Sequence, residues 1–223
     1  IPLALGTTLT KLKVLNIVKN DFNGTIPTTL GLLTGLQLVD MYDNSISGSI
    51  PVELTGLTGL VFLELGDNLL TSSIPSGLSK LSLLSYIAWG LNTITGTLPF
   101  EIGSMTNITF IGVSYNSMEG TLPSSLANLS QMKFFSCRYN YFSAPEDTLV
   151  SIAKLPLLDA FLINRNMFSG DFQNVQFAPT LQLLRLSDNY FTGSYLLENI
   201  CNLDMIVEVS ISNNQFSGVI PSC

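Results

Sequence analysis

A chain of 223 residues that is 46% hydrophobic but only 11% charged, with a formal net charge of −7, lacks the basic stripe that phosphate backbones require, which excludes nucleic acid as a partner. Its apolar residues recur at short intervals and never form a run of the roughly 18–20 that a membrane span needs. Histidine is absent and the three cysteines are scattered, so the commonest general base and every zinc-ligand spacing are missing. With no nucleophile elbow or phosphate-binding loop either, neither catalysis nor a metal or cofactor is expected.

From its first residues onward the chain repeats. Asn20, Asn44, Asn68, Asn92, Asn116 and Asn140 are each separated by 24 residues, and Asn166, Asn189 and Asn214 continue at intervals of 26, 23 and 25. The frame around them reads Leu12-x-x-Leu15-x-Ile17-x-x-Asn20-x-Phe22-x-Gly24-x-Ile26-Pro27, and again Ile108-x-x-Ile111-x-Val113-x-x-Asn116-x-Met118-x-Gly120-x-Leu122-Pro123. In the first half of each unit the period is two: Leu15 and Ile17 point inward while Val14, Asn16 and Val18 point outward, which predicts a short strand. The asparagine amide that follows can both donate to and accept from the backbone of adjoining turns, which predicts a ladder. Phe22, Ile46, Leu70, Ile94, Met118, Phe142, Phe168, Phe191 and Phe216 form an expected core column, and Trp89 and Cys137 are expected to point inward. Pro27, Pro51, Pro75, Pro99, Pro123 and Pro221 fix φ where each unit turns away, ahead of segments rich in Ser, Thr and Gly that predict short 3₁₀ turns. After Asn140 the Gly-x-Ile-Pro element dissolves into Ala144-Pro145-Glu146-Asp147 and Asp171-Phe172-Gln173; such departures mark either function or drift in tolerant loops.

This frame is the leucine-rich repeat signature. Its second half, Gly24-Thr25-Ile26-Pro27-Thr28-Thr29-Leu30-Gly31-Leu32-Leu33, resembles the plant-type subclass found in ectodomains of receptor kinases, in receptor-like proteins, in cell-wall enzyme inhibitors and in some ice-binding proteins. The expected fold is α/β, mostly β: a right-handed solenoid of about nine coils with a parallel concave sheet. It is expected to span 1–223 as a single domain and to be a portion of a longer chain, because it opens in mid-repeat without a polar cap. The resemblance, together with sequons at Asn23, Asn107 and Asn128 that fall on solvent positions, predicts an extracellular glycoprotein. Cys201 and Cys223 lie about one coil apart, so they pair with each other or with residues beyond the visible end.

Chemistry has to reside in the outward columns. The first exposed row contains Phe62, Tyr86, Phe110 and Phe134, and a row further across adds Tyr115 and Tyr139. These rings either form an interaction patch or pack over the edge of the solenoid. Charge is asymmetric on the same face, with Asp40, Asp43, Glu64 and Asp67 near its start and Arg138, Arg165 and Arg185 later. The carboxylates supply oxygens that calcium favours, but without a calcium-loop spacing. The leading expectation is a recognition module that binds a protein, peptide or glycan on its concave face through the six rings and three arginines. An extracellular protein that self-associates into a wall, adhesive or fibre is the alternative. A third reading is ice binding on a hydroxyl flank: Ser47/Ser49, Thr71/Ser73, Thr95/Thr97 and Thr121, interrupted by Glu119.

Overall fold

The computed structural model describes residues 1–172, 175–194 and 196–223. Nine three-residue strands, Val14–Asn16, Leu38–Asp40, Phe62–Glu64, Tyr86–Ala88, Phe110–Gly112, Phe134–Ser136, Ala160–Leu162, Leu183–Arg185 and Glu208–Ser210, pair in parallel and in chain order into one sheet. Each strand defines a coil, one to nine. Equivalent frame positions face each other across every pair, so Phe62 lies beside Tyr86, Tyr86 beside Phe110, and Phe110 beside Phe134. A strand this short has one inward side chain, and Leu63, Ile87, Ile111 and Phe135 are fully buried there. Trp89 and Cys137 fill the next inward position; burial raises the Cys137 thiol far above its ordinary range, so it is an inert core residue.

The asparagine ladder takes the form that the amide chemistry requires. In coil three, the Asn68 side chain donates to the Met41 carbonyl of the preceding coil at 2.9 Å and to Leu65 at 3.2 Å, while its oxygen accepts from the Ile46 N–H at 2.9 Å. Asn140 repeats this with Val113, Cys137 and Met118. Each amide therefore satisfies buried backbone groups of two coils at once, where an unpaired group is costly.

On the convex side Pro27, Pro51, Pro75, Pro99 and Pro123 each precede a five-residue 3₁₀ helix, as the sequence predicts; Pro221 precedes none. The broken rhythm after Asn140 corresponds to an α-helix, Glu146–Ala153, behind Pro145. Its Glu146 accepts backbone N–H bonds from Asp171 and Phe172 of the next coil, at 3.3 and 3.1 Å, and Phe172 is buried against Phe191 with ring centroids 5.0 Å apart. Both departures thus serve coil-to-coil packing; Gln173 lies outside the described residues.

One expectation requires correction. Phe22 is 44% exposed, whereas Ile46 through Phe191 of the same column are buried, because none of the described residues covers that side of coil one. Cys201 and Cys223 are joined as a disulfide with Cα atoms 5.7 Å apart. Among the described residues, no helix is long and apolar enough to cross a membrane, and no group of three or more metal-capable side chains converges.

Candidate functional site

The outward side chains differ sharply along the concave face. Phe62, Tyr86, Phe110 and Phe134 stack in series with centroids 4.3 Å apart at each step and interplanar angles of 11°, 15° and 3°. That spacing follows from the strand separation, which sets rings at equivalent positions face to face in register. Opposite them Tyr115 and Tyr139 stack at 4.1 Å. These tyrosines belong to the column immediately before the ladder asparagines, all of which adopt left-handed backbone: Lys19, Asp43, Asp67, Leu91, Tyr115, Tyr139, Arg165, Asp188 and Asn213 have φ between 51° and 60°. The turn into the asparagine imposes this conformation, and it lifts each side chain onto the rim of the face.

A groove of about 250 Å³ runs across the strands between the two rows. Phe110 and Phe134 form one wall, and Leu91 and Tyr115 the other. The floor is Gly66, Ala88, Gly90, Gly112, Ser114 and Ser136. It is kept low by necessity: a Cβ on Gly112 would come within 2.9 Å of the Phe110 ring, and one on Gly90 within 2.9 Å of the Ser114 carbonyl oxygen. The Ser114 and Ser136 hydroxyls bond each other at 2.7 Å. Column-by-column reading of large side chains missed this floor, although the run of Gly, Ala and Ser across coils three to six was its visible signal.

Charge closes the groove at both ends. Glu64 accepts the Gly66 N–H at 2.8 Å and the Tyr86 hydroxyl at 3.4 Å. Burial, reinforced by Asp40 beside it, pushes its carboxyl up to about 7, against the pull of those two hydrogen bonds. Tyr86 rises to about 12, chiefly by burial and then by the Glu64 charge. Arg138, at the far end, stacks on Tyr115 with its guanidinium carbon 5.3 Å from the ring centroid, and its buried Nε has no hydrogen-bond partner.

Of the residues predicted from sequence, Phe110, Phe134, Tyr115 and Arg138 line this groove, while Phe62 and Tyr86 extend its aromatic wall. Tyr139 and Arg165 lie further out, Arg165 with its guanidinium carbon 4.6 Å over the Tyr139 ring and its Nε 3.3 Å from Asp188. Arg185 is absent from the groove and makes two 2.7 Å bonds to the Glu208 carboxylate. The sequon residues Asn23, Asn107 and Asn128 are all exposed and lie outside the concave strands, and the Asn107 amide donates to the Ser82 carbonyl at 2.8 Å.

A nine-strand parallel sheet closed by an asparagine ladder and a proline-started convex side defines a leucine-rich repeat solenoid. A family model described as Leucine Rich Repeat matches residues 35–57. The chain is similar to the plant peptide hormone receptor RGFR1 in complex with RGF2, at 29% identity and a TM-score of 0.91 over 98% of this chain and 34% of that one. It is also similar to the Arabidopsis receptor kinase HAESA in complex with the peptide hormone IDA and the co-receptor SERK1, at 32% identity and a TM-score of 0.90 over 99% and 37%. A plant ice-binding protein matches at 28% identity and a TM-score of 0.90 over 100% of this chain and 70% of that one. No curated protein sequence matches. The chain belongs to the leucine-rich repeat family, in its plant-type form, and spans little more than a third of either receptor chain.

Proposed function

We propose that this chain is the ligand-binding part of an extracellular, N-glycosylated recognition protein, and that its ligand is a peptide segment lying extended along the concave groove of coils three to six. The single observation that carries this reading is the groove itself: a Gly/Ala/Ser floor between two stacks of rings. Aromatic and arginine anchors around a low floor let a peptide backbone approach closely while its side chains meet rings, and such anchors carry most of an interface's energy. The receptors RGFR1 and HAESA, both complexed with peptide hormones, support a peptide as the ligand class and an extracellular setting. Their use as recognition modules also favours binding over catalysis. Glycans on Asn23, Asn107 and Asn128 would leave the groove open, since none of the three is on the concave sheet.

The test is a library of acetylated, amidated peptides of about seven residues, panned in parallel on the wild-type protein and on the Phe110→Ala/Phe134→Ala double variant. Enrichment on the wild type should fall by at least about tenfold on the variant, with the melting temperature retained. Equal enrichment on both would move the site elsewhere.

A second reading draws on the likeness to the plant ice-binding protein and on the exposed hydroxyls of Thr71, Ser73, Thr95, Thr97 and Thr121. Against it, this flank consists of short separate sheets, and Glu119 intrudes among the hydroxyls. An ice-recrystallisation assay decides: activity that vanishes in Thr95→Val/Thr97→Val would establish this reading, and inactivity of the wild type would remove it.

A further inference from the structure

The concave face carries three arginines and six carboxylates, Asp40, Asp43, Glu64, Asp67, Asp188 and Glu208, yet only some are free to meet a ligand. Arg165 is engaged by Asp188 and Arg185 by Glu208, whereas Arg138 forms no ion pair among the described residues and keeps a buried, unpartnered Nε at the edge of the groove. At the other end Glu64 accepts, among the described residues, only neutral donors, Gly66 N–H and Tyr86 O–H, and stands in register with another carboxylate, Asp40. Two opposite charges thus face one cavity with no counter-ion among the described residues. Their strands belong to coils three and six, three strand spacings apart, or about 14 Å. An extended peptide rises about 3.3 Å per residue, so four residues cover that span. Side chains four residues apart in an extended chain also point to the same face, and the one midway between them points with them.

We propose that the groove selects peptides with a basic and an acidic side chain four residues apart and an apolar side chain midway, the basic group seated at Glu64, the apolar one against Phe110 over the Gly112 floor, and the acidic group at Arg138. This rests on the groove reading above and adds its charge code. The chemistry at each end is complementary. An ammonium or guanidinium meets Glu64 where Asp40 adds a second negative charge, and a carboxylate meets a planar guanidinium already held in place by the Tyr115 ring. The Glu64 carboxyl, pushed up to about 7 by burial and by Asp40, is held fully ionised when a cation sits beside it. Uncapped termini are not needed, because side chains supply both charges.

The experiment uses the same capped library on four proteins: wild type, Glu64→Gln, Arg138→Gln and Phe110→Ala/Phe134→Ala. Peptides enriched on the wild type should carry Lys or Arg and Asp or Glu with three residues between them. Glu64→Gln should lower the preference for the basic residue about tenfold while keeping that for the acidic one, and Arg138→Gln should do the converse. A synthetic peptide with the charge spacing changed by one residue should bind about tenfold more weakly, since one charge then faces away from the groove. Enrichment that depends on Phe110 and Phe134 but shows no charge spacing, or a spacing unaltered by either single variant, overturns the inference and leaves the groove reading standing. Enrichment no better than on the double aromatic variant overturns both. Circular dichroism melting of each variant confirms that a lost preference comes from a folded protein.

Discussion

Coils three to six and coils seven to nine are built on the same backbone frame, and only the first group presents a site. In the earlier coils the outward positions alternate rings with Gly, Ala and Ser, and the charges at the ends, Glu64 and Arg138, have no ionic partner among the described residues. In the later coils the same columns hold Leu162, which is buried, Asn164, whose buried Oδ1 is unpartnered, and, for the rest, polar groups that satisfy one another: Arg185 with Glu208, Ser187 with Ser210 and Ser212, and Asp188 with Asn213. A charged or hydroxylated face is therefore not in itself a binding face. What distinguishes a site is polar groups left without internal partners beside a hollow in the packing.

The largest expected effect tests whether the two regions really share one frame. Asn140→Asp and Asn189→Asp each remove donors to buried carbonyls, those of Val113 and Cys137 in one case and Ile163 and Leu186 in the other, and each buries a charge. Both should cost about 3 kcal/mol or more and lower the melting temperature by about 10 °C. A clear inequality between them would show that the ladder is not uniform. Next is a test of the floor. Gly112→Val fills the groove beneath Phe110, whereas Ser210→Val changes the equivalent position in coil nine. Affinity for a library-selected peptide should fall about a hundredfold in the first and stay unchanged in the second, as read by titration calorimetry; parity between them would remove the distinction between the regions.

The smallest effect is one of pH, and its sign is opposite in the two regions. Glu64 has a folded pKa of about 7, above its ordinary 4.5, so the stability of its protonated form is present below pH 4.5 and lost as pH rises through about 7. Glu64→Gln should match the wild type near pH 4.5 and exceed it near pH 8 by about 1 kcal/mol once solvent screening is allowed for. Glu208 is held below its ordinary value chiefly by its hydrogen bonds from Arg185, so its contribution is present at neutral pH and lost as pH falls. Glu208→Gln should therefore melt below the wild type at pH 8 and converge with it in acid. Identical pH profiles for the two variants would contradict both assignments.

The sequence was informative wherever a single coil dictates the outcome. Period two placed Leu63 inside and Glu64 outside, the amide chemistry of Asn68 required its ladder bonds, and equal spacing put Phe110 beside Phe134. It was silent where two coils meet diagonally. Glu208 and Arg185 occupy different columns, and only the rotamers chosen across the strand boundary reveal that they neutralise each other. The helix after Pro145 was hidden for a similar reason: an interval of 26 records extra length, not the shape that the length adopts. Gly112 was in plain view, but its significance is the Phe110 ring lying over it, which no one-dimensional pattern records.

The column of left-handed residues along the rim has one more consequence. Because the turn into each asparagine fixes their backbone, a lysine, leucine, tyrosine, arginine or aspartate is presented there at the same angle and on the same pitch. The solenoid behaves as a peg board whose holes are drilled once by the frame. Exchanging a peg alters what the rim reads without redrilling the board, so recognition in such a protein can be rewritten one coil at a time while the load is carried elsewhere.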